Sequence, residues 1–149
     1  YKNKKYFINS VENFSSNFSL AYGRLSFFTK TKITGGTIEC RGESSLIDQY
    51  PRLNFNCFIY LKDKIRFLKK FSVSKKNITN DPVNLNIVGS FNLFNKKINF
   101  KKISNSKGYQ ANEEDIQYFK ENFEKILFNE SFFKIFKKNK VQEFLLEIT

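Results

Sequence analysis

Residues 51–62 alternate without a break: Leu53, Phe55, Cys57, Ile59 and Leu61 fall on one side of an extended chain, and Asn54, Asn56, Phe58, Tyr60 and Lys62 on the other. Successive side chains of a strand point to opposite faces, so the pattern predicts a strand with one apolar and one mixed face. Residues 82–93 repeat it, with Val83, Leu85, Ile87, Gly89, Phe91 and Leu93 on one side and Asn84, Asn86, Ser90 and Asn92 opposite. Asn95-Lys96-Lys97 then reads as a turn into a strand carrying Ile98, Phe100 and Ile103, which makes the pair a hairpin. Upstream, residues 6–28 alternate imperfectly, with Phe14, Phe18, Leu20, Tyr22 and the 25–28 run interrupted by Ser and Asn; one or two long strands are expected there. Residues 31–42 place β-branched side chains around Gly35-Gly36, which suits a strand with a bulge or a close turn.

Two regions change period. Residues 63–71 switch to helical spacing, with Ile65, Leu68 and Phe71 on one side and Lys64, Arg66, Lys69 and Lys70 largely elsewhere, a short basic amphipathic helix. A helix of this kind covers a sheet edge, and the alternative is contact with an anionic membrane surface through Lys64, Arg66, Lys69 and Lys70. From Asn112 the chain turns helical: Asn112 is an N-cap, Glu113, Glu114 and Asp115 complement the helix dipole, and Ile116, Phe119, Phe123, Ile126 and Leu127 form a stripe. Further helical stretches follow at 131–138 and 140–148. The pattern predicts an α+β fold: an antiparallel, curved sheet over 1–110 and a helical segment over 112–149 that covers one end of it. Helices at one end can hide only part of the apolar side, so the sheet either closes into an ordinary core or leaves a groove.

Composition refines this picture. The 149 residues include 19 Phe but no Trp and no Met, so Phe carries most of the burial, and a chain that opens on Tyr1 without a methionine is expected to be a segment of a longer protein. No run of apolar residues is long enough to span a bilayer as a helix, and the start lacks the charged-then-apolar order of a signal peptide. The net charge is +12, but residues from 113 onward carry six Lys against eight acids, which leaves +14 on residues 1–112. Lys, Asn, Phe and Ile are residues that adenine- and thymine-rich codons favour, which weakens the charge as a nucleic-acid signature. Phe58, Tyr60 and Lys62 on one strand face keep a nucleic-acid module as an alternative, disfavoured because Asn fills most polar strand positions and no RNA- or DNA-binding signature is legible.

Catalysis finds little to work with. There is no histidine, the carboxylates Glu39, Glu43, Asp48, Asp63 and Asp81 fall in separate segments, and Gly35-Gly36 fits neither a dinucleotide nor a P-loop fingerprint. No enzymatic activity, catalytic residue, metal ligand or cofactor is expected. Cys40 and Cys57, both in expected strands, leave two options: two buried thiols, the plainer one, or a disulfide formed in an oxidising compartment.

The stretch 14–104 resembles the C-terminal region of AsmA-like envelope proteins. The likeness is carried by Ile33-Thr34-Gly35-Gly36-Thr37-Ile38-Glu39-Cys40-Arg41-Gly42, Tyr50-Pro51-Arg52-Leu53-Asn54-Phe55 and the 83–93 strand. The resemblance implies a periplasmic slice of an inner-membrane-anchored protein with an elongated apolar β-groove and a role in outer-membrane lipid homeostasis. Its partners would be phospholipid and the rest of the same polypeptide. It carries over no catalytic residue, so the groove candidates come from the alternation alone: Leu53, Phe55, Cys57, Ile59, Leu61, Val83, Leu85, Ile87, Phe91 and Leu93. The other reading of the same residues is a plain core under the helices, which would make the chain a scaffold.

Overall fold

The computed structural model describes residues 11–70 and 79–128. They form one open antiparallel sheet of six strands in chain order: β1 (Val11–Ala21), β2 (Arg24–Ile33), β3 (Gly36–Ser45), β4 (Arg52–Leu61), β5 (Val83–Asn92) and β6 (Lys97–Asn105). Two helices join it, α1 (Lys64–Lys70) between β4 and β5, and α2 (Glu113–Phe128) after β6. The fold is therefore mostly β with short helical additions. The expected helices at 131–138 and 140–148 lie outside the described residues, as do residues 1–10 and 71–78 and with them most of the expected linker.

Within the 6–28 region, residues 11–28 form β1 and the first half of β2, joined by a two-residue turn in which Tyr22 and Gly23 both adopt positive φ, 50° and 71°. Those signs belong to the turn whose twist matches that of the flanking strands. The 31–42 stretch is a close turn at Thr34-Gly35 between β2 and β3. In β6, Ile98, Phe100 and Ile103 all reach the apolar side despite their uneven spacing, because the register shifts between Val88 and Gly89: Val88 faces Lys102, Gly89 faces Phe100, and Lys101 is the extra residue.

Both helices start as their sequences require. The Asp63 carboxylate accepts the Arg66 N–H at 3.0 Å, and the Asn112 side-chain carbonyl accepts the Asp115 N–H at 2.8 Å, with Glu113, Glu114 and Asp115 in the first turn of α2. Asp63 N–H also donates to Gly35 O at 3.0 Å, which pins α1 to the β2–β3 turn. Leu68 of α1 and Ile116 and Phe119 of α2 pack with Leu85, Ile98, Phe100 and Ile103; a second cluster joins Ile33, Leu61 and Val83. The core thus lies between the helices and the β4–β6 half of the apolar face. Glu124 of α2 accepts the Ile98 N–H at 3.0 Å, occupying a donor on the outer edge of β6.

Lys64 departs from the expected outward set of cations. It is 1% exposed, because the first turn of α1 lies against the sheet end, and only Arg66, Lys69 and Lys70 of the four face solvent. Burial, followed by the repulsion of Lys107, lowers the Lys64 pKa, and Asp81 opposes the shift. Asp81 in turn is held below the usual carboxylate range by the Thr79 hydroxyl, which donates to it at 2.7 Å, and by Lys107 at 3.5 Å.

Candidate functional site

Because every strand pairs antiparallel with the next, with register shifts only at Val11/Asn13 and Val88/Gly89, side chains line up in rows across the sheet. One row on the apolar face runs Phe18, Phe27, Gly42, Phe55, Gly89, Phe100. Gly42 and Gly89 leave room for the neighbouring rings: a Cβ at Gly89 would lie 2.5 Å from Phe55 Cζ and 2.7 Å from Asn99 O, and one at Gly42 would run into the Phe27 ring. With those positions empty, Phe55 meets Phe100 edge-to-face at 6.1 Å, and Phe27 lies 6.3 Å from Phe18. The next row runs Ser16, Thr29, Cys40, Cys57, Ile87, Ile103, and a third runs Phe14, Thr31, Ile38, Ile59, Leu85.

Cys40 and Cys57 are cross-strand partners with Cα atoms 4.0 Å apart, and they form a disulfide. This corrects the plainer expectation of two thiols. The spacing of the two cysteines in sequence left their register open, and the six-residue connection from β3 to β4 brings them opposite each other.

The ten alternation-derived candidates divide. Leu61, Val83 and Leu85 are sealed in the core, and Phe55, Ile59, Ile87 and Phe91 are partly buried against it. Leu53 and Cys57 are also half-buried on this face, while Leu93 lies beyond β5 in the turn, its N–H donating to Pro51 O at 3.1 Å. Most of the set thus lies in or against the two core clusters. The uncovered apolar surface belongs instead to the other half of the same face. On β1, Phe14, Phe18 and Leu20 are 62%, 71% and 68% exposed, and Leu25 and Phe27 of β2 are half-buried beside them. The alternation of residues 6–28 marked these positions, yet nothing in it showed that they would stand exposed. Between β1 and β4 this half carries mainly small side chains, Thr29, Thr31, Cys40 and Ser44, and Ser16 and Ser44 hold buried hydroxyls without a hydrogen-bond partner among the described residues.

The opposite face is polar and largely self-neutralised at β1–β3. Lys30 pairs with Glu39 at 2.6 Å and Lys32 with Glu12 at 3.6 Å. A shallow cavity of about 330 Å³ there is lined by Phe28, Glu39, Arg41, Asn56, Phe58 and Asn86. Phe58 and Lys62 are exposed as a nucleic-acid surface would need, but Tyr60 is half-buried and Glu39 sits in the cavity wall, which opposes a phosphate backbone. Among the described residues no group of three or more Cys, Asp or Glu could hold a metal ion, and no helix is long and apolar enough to cross a membrane. No family model matches the chain, and neither the curated proteins nor the solved structures contain a significant match to it.

Proposed function

We propose that this chain is a non-catalytic periplasmic segment of an AsmA-like envelope protein, and that it guides phospholipid acyl chains along the open half of its apolar face. One observation carries the reading: Phe14, Phe18 and Leu20 stand exposed on the same face whose other half is sealed by helices. Large apolar patches left open on a folded surface mark sites that bind something apolar. The tall side chains of β1 form one wall of a groove, the helices over β4–β6 form the other, and β2 and β3 form its floor, low at Thr29, Thr31, Cys40 and Ser44 and raised at Phe27 and Ile38. A ten-residue strand is about 33 Å long. That exceeds one acyl chain, which spans half of a hydrocarbon core of about 30 Å. The disulfide suits the oxidising compartment that such a protein would occupy.

The test is native mass spectrometry with lipid extraction on the chain purified from a bacterial envelope, comparing wild type with Phe14→Asp/Phe18→Asp. Wild type is expected to carry phospholipid, and the doubly substituted chain to lose it while its far-ultraviolet circular dichroism stays unchanged. A wild type free of lipid, or a variant that keeps it, removes the acyl-chain reading and leaves a scaffold domain.

A further inference from the structure

The chain-order topology gathers three connections at one end of the sheet: the β1–β2 turn, the β3–β4 loop and the β5–β6 turn. All three present large side chains to solvent. Tyr22 is fully exposed, Ile47 is 80% exposed, Tyr50 61% and Phe94 77%. Turn tips are ordinarily built from small and polar residues, so four bulky apolar or aromatic side chains on three separate tips at one end need a reason. The β2–β3 turn at the other end is different, with Thr34 buried and Gly35 bonded to the start of α1.

Beside these tips, on the polar face, lies a depression of about 200 Å³ walled by Arg52, Lys97 and Lys120 together with Ser90, Asn92, Asn95 and Asn99. Arg52, Asn92 and Lys97 form one row across β4, β5 and β6, and Lys120 joins them from α2. No acidic side chain lines the depression, and no ion pair among the described residues engages any of the three cations. Ile98 also lines the depression, and the Glu124 carboxylate that accepts its N–H sets one negative charge against the three cations. Three cations without an ion-pair partner among the described residues, with amide side chains between them, suit a phosphate group, and apolar tips next to such a group suit the boundary between headgroups and acyl chains, where tyrosine also collects.

We infer that this hairpin end docks on a phospholipid bilayer, with Arg52, Lys97 and Lys120 receiving lipid phosphate while Ile47 and Phe94 enter the acyl boundary. It is the end opposite α1, so this contact is separate from any made by the exposed cations of that helix. The docking end goes beyond the acyl-chain reading and stands apart from it, since none of its residues lies on the open half of the apolar face.

The absence of Trp from the chain makes single-Trp reporters clean. Phe94→Trp and Ile47→Trp would be mixed with vesicles of phosphatidylethanolamine and phosphatidylglycerol whose acyl chains are brominated, with Phe28→Trp at the centre of the polar face as control. Blue shift and bromine quenching of both tip reporters, without quenching of the control, is the expected result. Arg52→Gln/Lys97→Gln/Lys120→Gln should weaken vesicle binding about 100-fold, roughly five-fold per cation. Phe94→Asp/Ile47→Asp, altering only exposed turn positions, should abolish quenching-competent binding even if the triple variant folds poorly. Phe14→Asp/Phe18→Asp should dock as wild type does, whatever becomes of its acyl-chain binding. Equal quenching of all three reporters, undiminished binding by the charge and tip variants, or saturable binding of inorganic phosphate without any vesicle binding would each overturn the inference.

Discussion

If the apolar face is open at β1 and sealed at β5, removing a large side chain must cost far more stability at one site than at the other. Leu85 is 3% exposed and packs within the cluster formed by Leu68, Ile98, Phe100 and Ile103. Leu85→Ala removes its transfer energy and leaves a cavity, a loss of about 3 kcal/mol. Phe18 is 71% exposed, so less than a third of its surface is covered. Full burial of a Phe is worth up to about 3 kcal/mol, which leaves about 1 kcal/mol for Phe18, its ring contact with Phe27 included. With a urea m-value of about 2 kcal/mol/M, the midpoint should fall by about 1.5 M for Leu85→Ala and by about 0.5 M for Phe18→Ser. Urea titrations followed by far-ultraviolet circular dichroism measure both. Equal shifts in the two variants would refute the reasoning, because they would mean that Phe18 is covered in the folded protein and no open half exists.

Three other outcomes are expected. Gly89→Ala puts a Cβ 2.7 Å from the backbone oxygen of Asn99, which cannot swing aside as a side chain can, so thermal unfolding should show a loss of about 1–3 kcal/mol. Reducing the Cys40–Cys57 disulfide, or replacing both residues with Ser, opens a loop of 17-residue separation and should lower stability by roughly 3 kcal/mol; no change with reductant would mean that the folded chain does not hold the bond. The Lys64 pKa lies below 10.5 in the folded protein, so the unfolded chain binds its proton more tightly and folding is disfavoured at neutral pH, a deficit that shrinks as pH rises through the folded pKa and is gone above 10.5. Lys64→Met should therefore melt above wild type near neutral pH, with the gap closing on the alkaline side; a gap that stays constant with pH would show that the Lys64 charge is not its source.

Strict alternation made β4 and β5 legible to within a residue, and Asn112 with three following acids located the start of α2. The β1–β2 turn was harder to read, because Tyr22 occupies a positive-φ position that Asn or Gly ordinarily fills. Periodicity shows which side chains share a face but not what covers that face, and this is why the alternating positions of β4 and β5 pack mostly in the core while those at Phe14 and Phe18 stand exposed. Lys64 departs from its helical spacing for a related reason. Helical spacing put it off the apolar side, but the hydrogen bond from Asp63 to Gly35 draws the first turn of α1 against the sheet. The disulfide depended on register, and a register set by a six-residue connection without a marked turn motif could not be counted from the sequence.

The chain-order sheet also bears on how such a protein can change over evolutionary time. Every strand pairs only with its neighbours in sequence, and the clusters that bind the helices draw on β4–β6, with Ile33 the main contribution from the β1 side. Gaining or losing a hairpin at the β1 margin would alter the width of the apolar face while leaving that core intact, much as a repeat protein varies in length without redesign of its units. The architecture is elastic on one side and fixed on the other, so insertions should be tolerated beside β1 and rejected between β5 and α2.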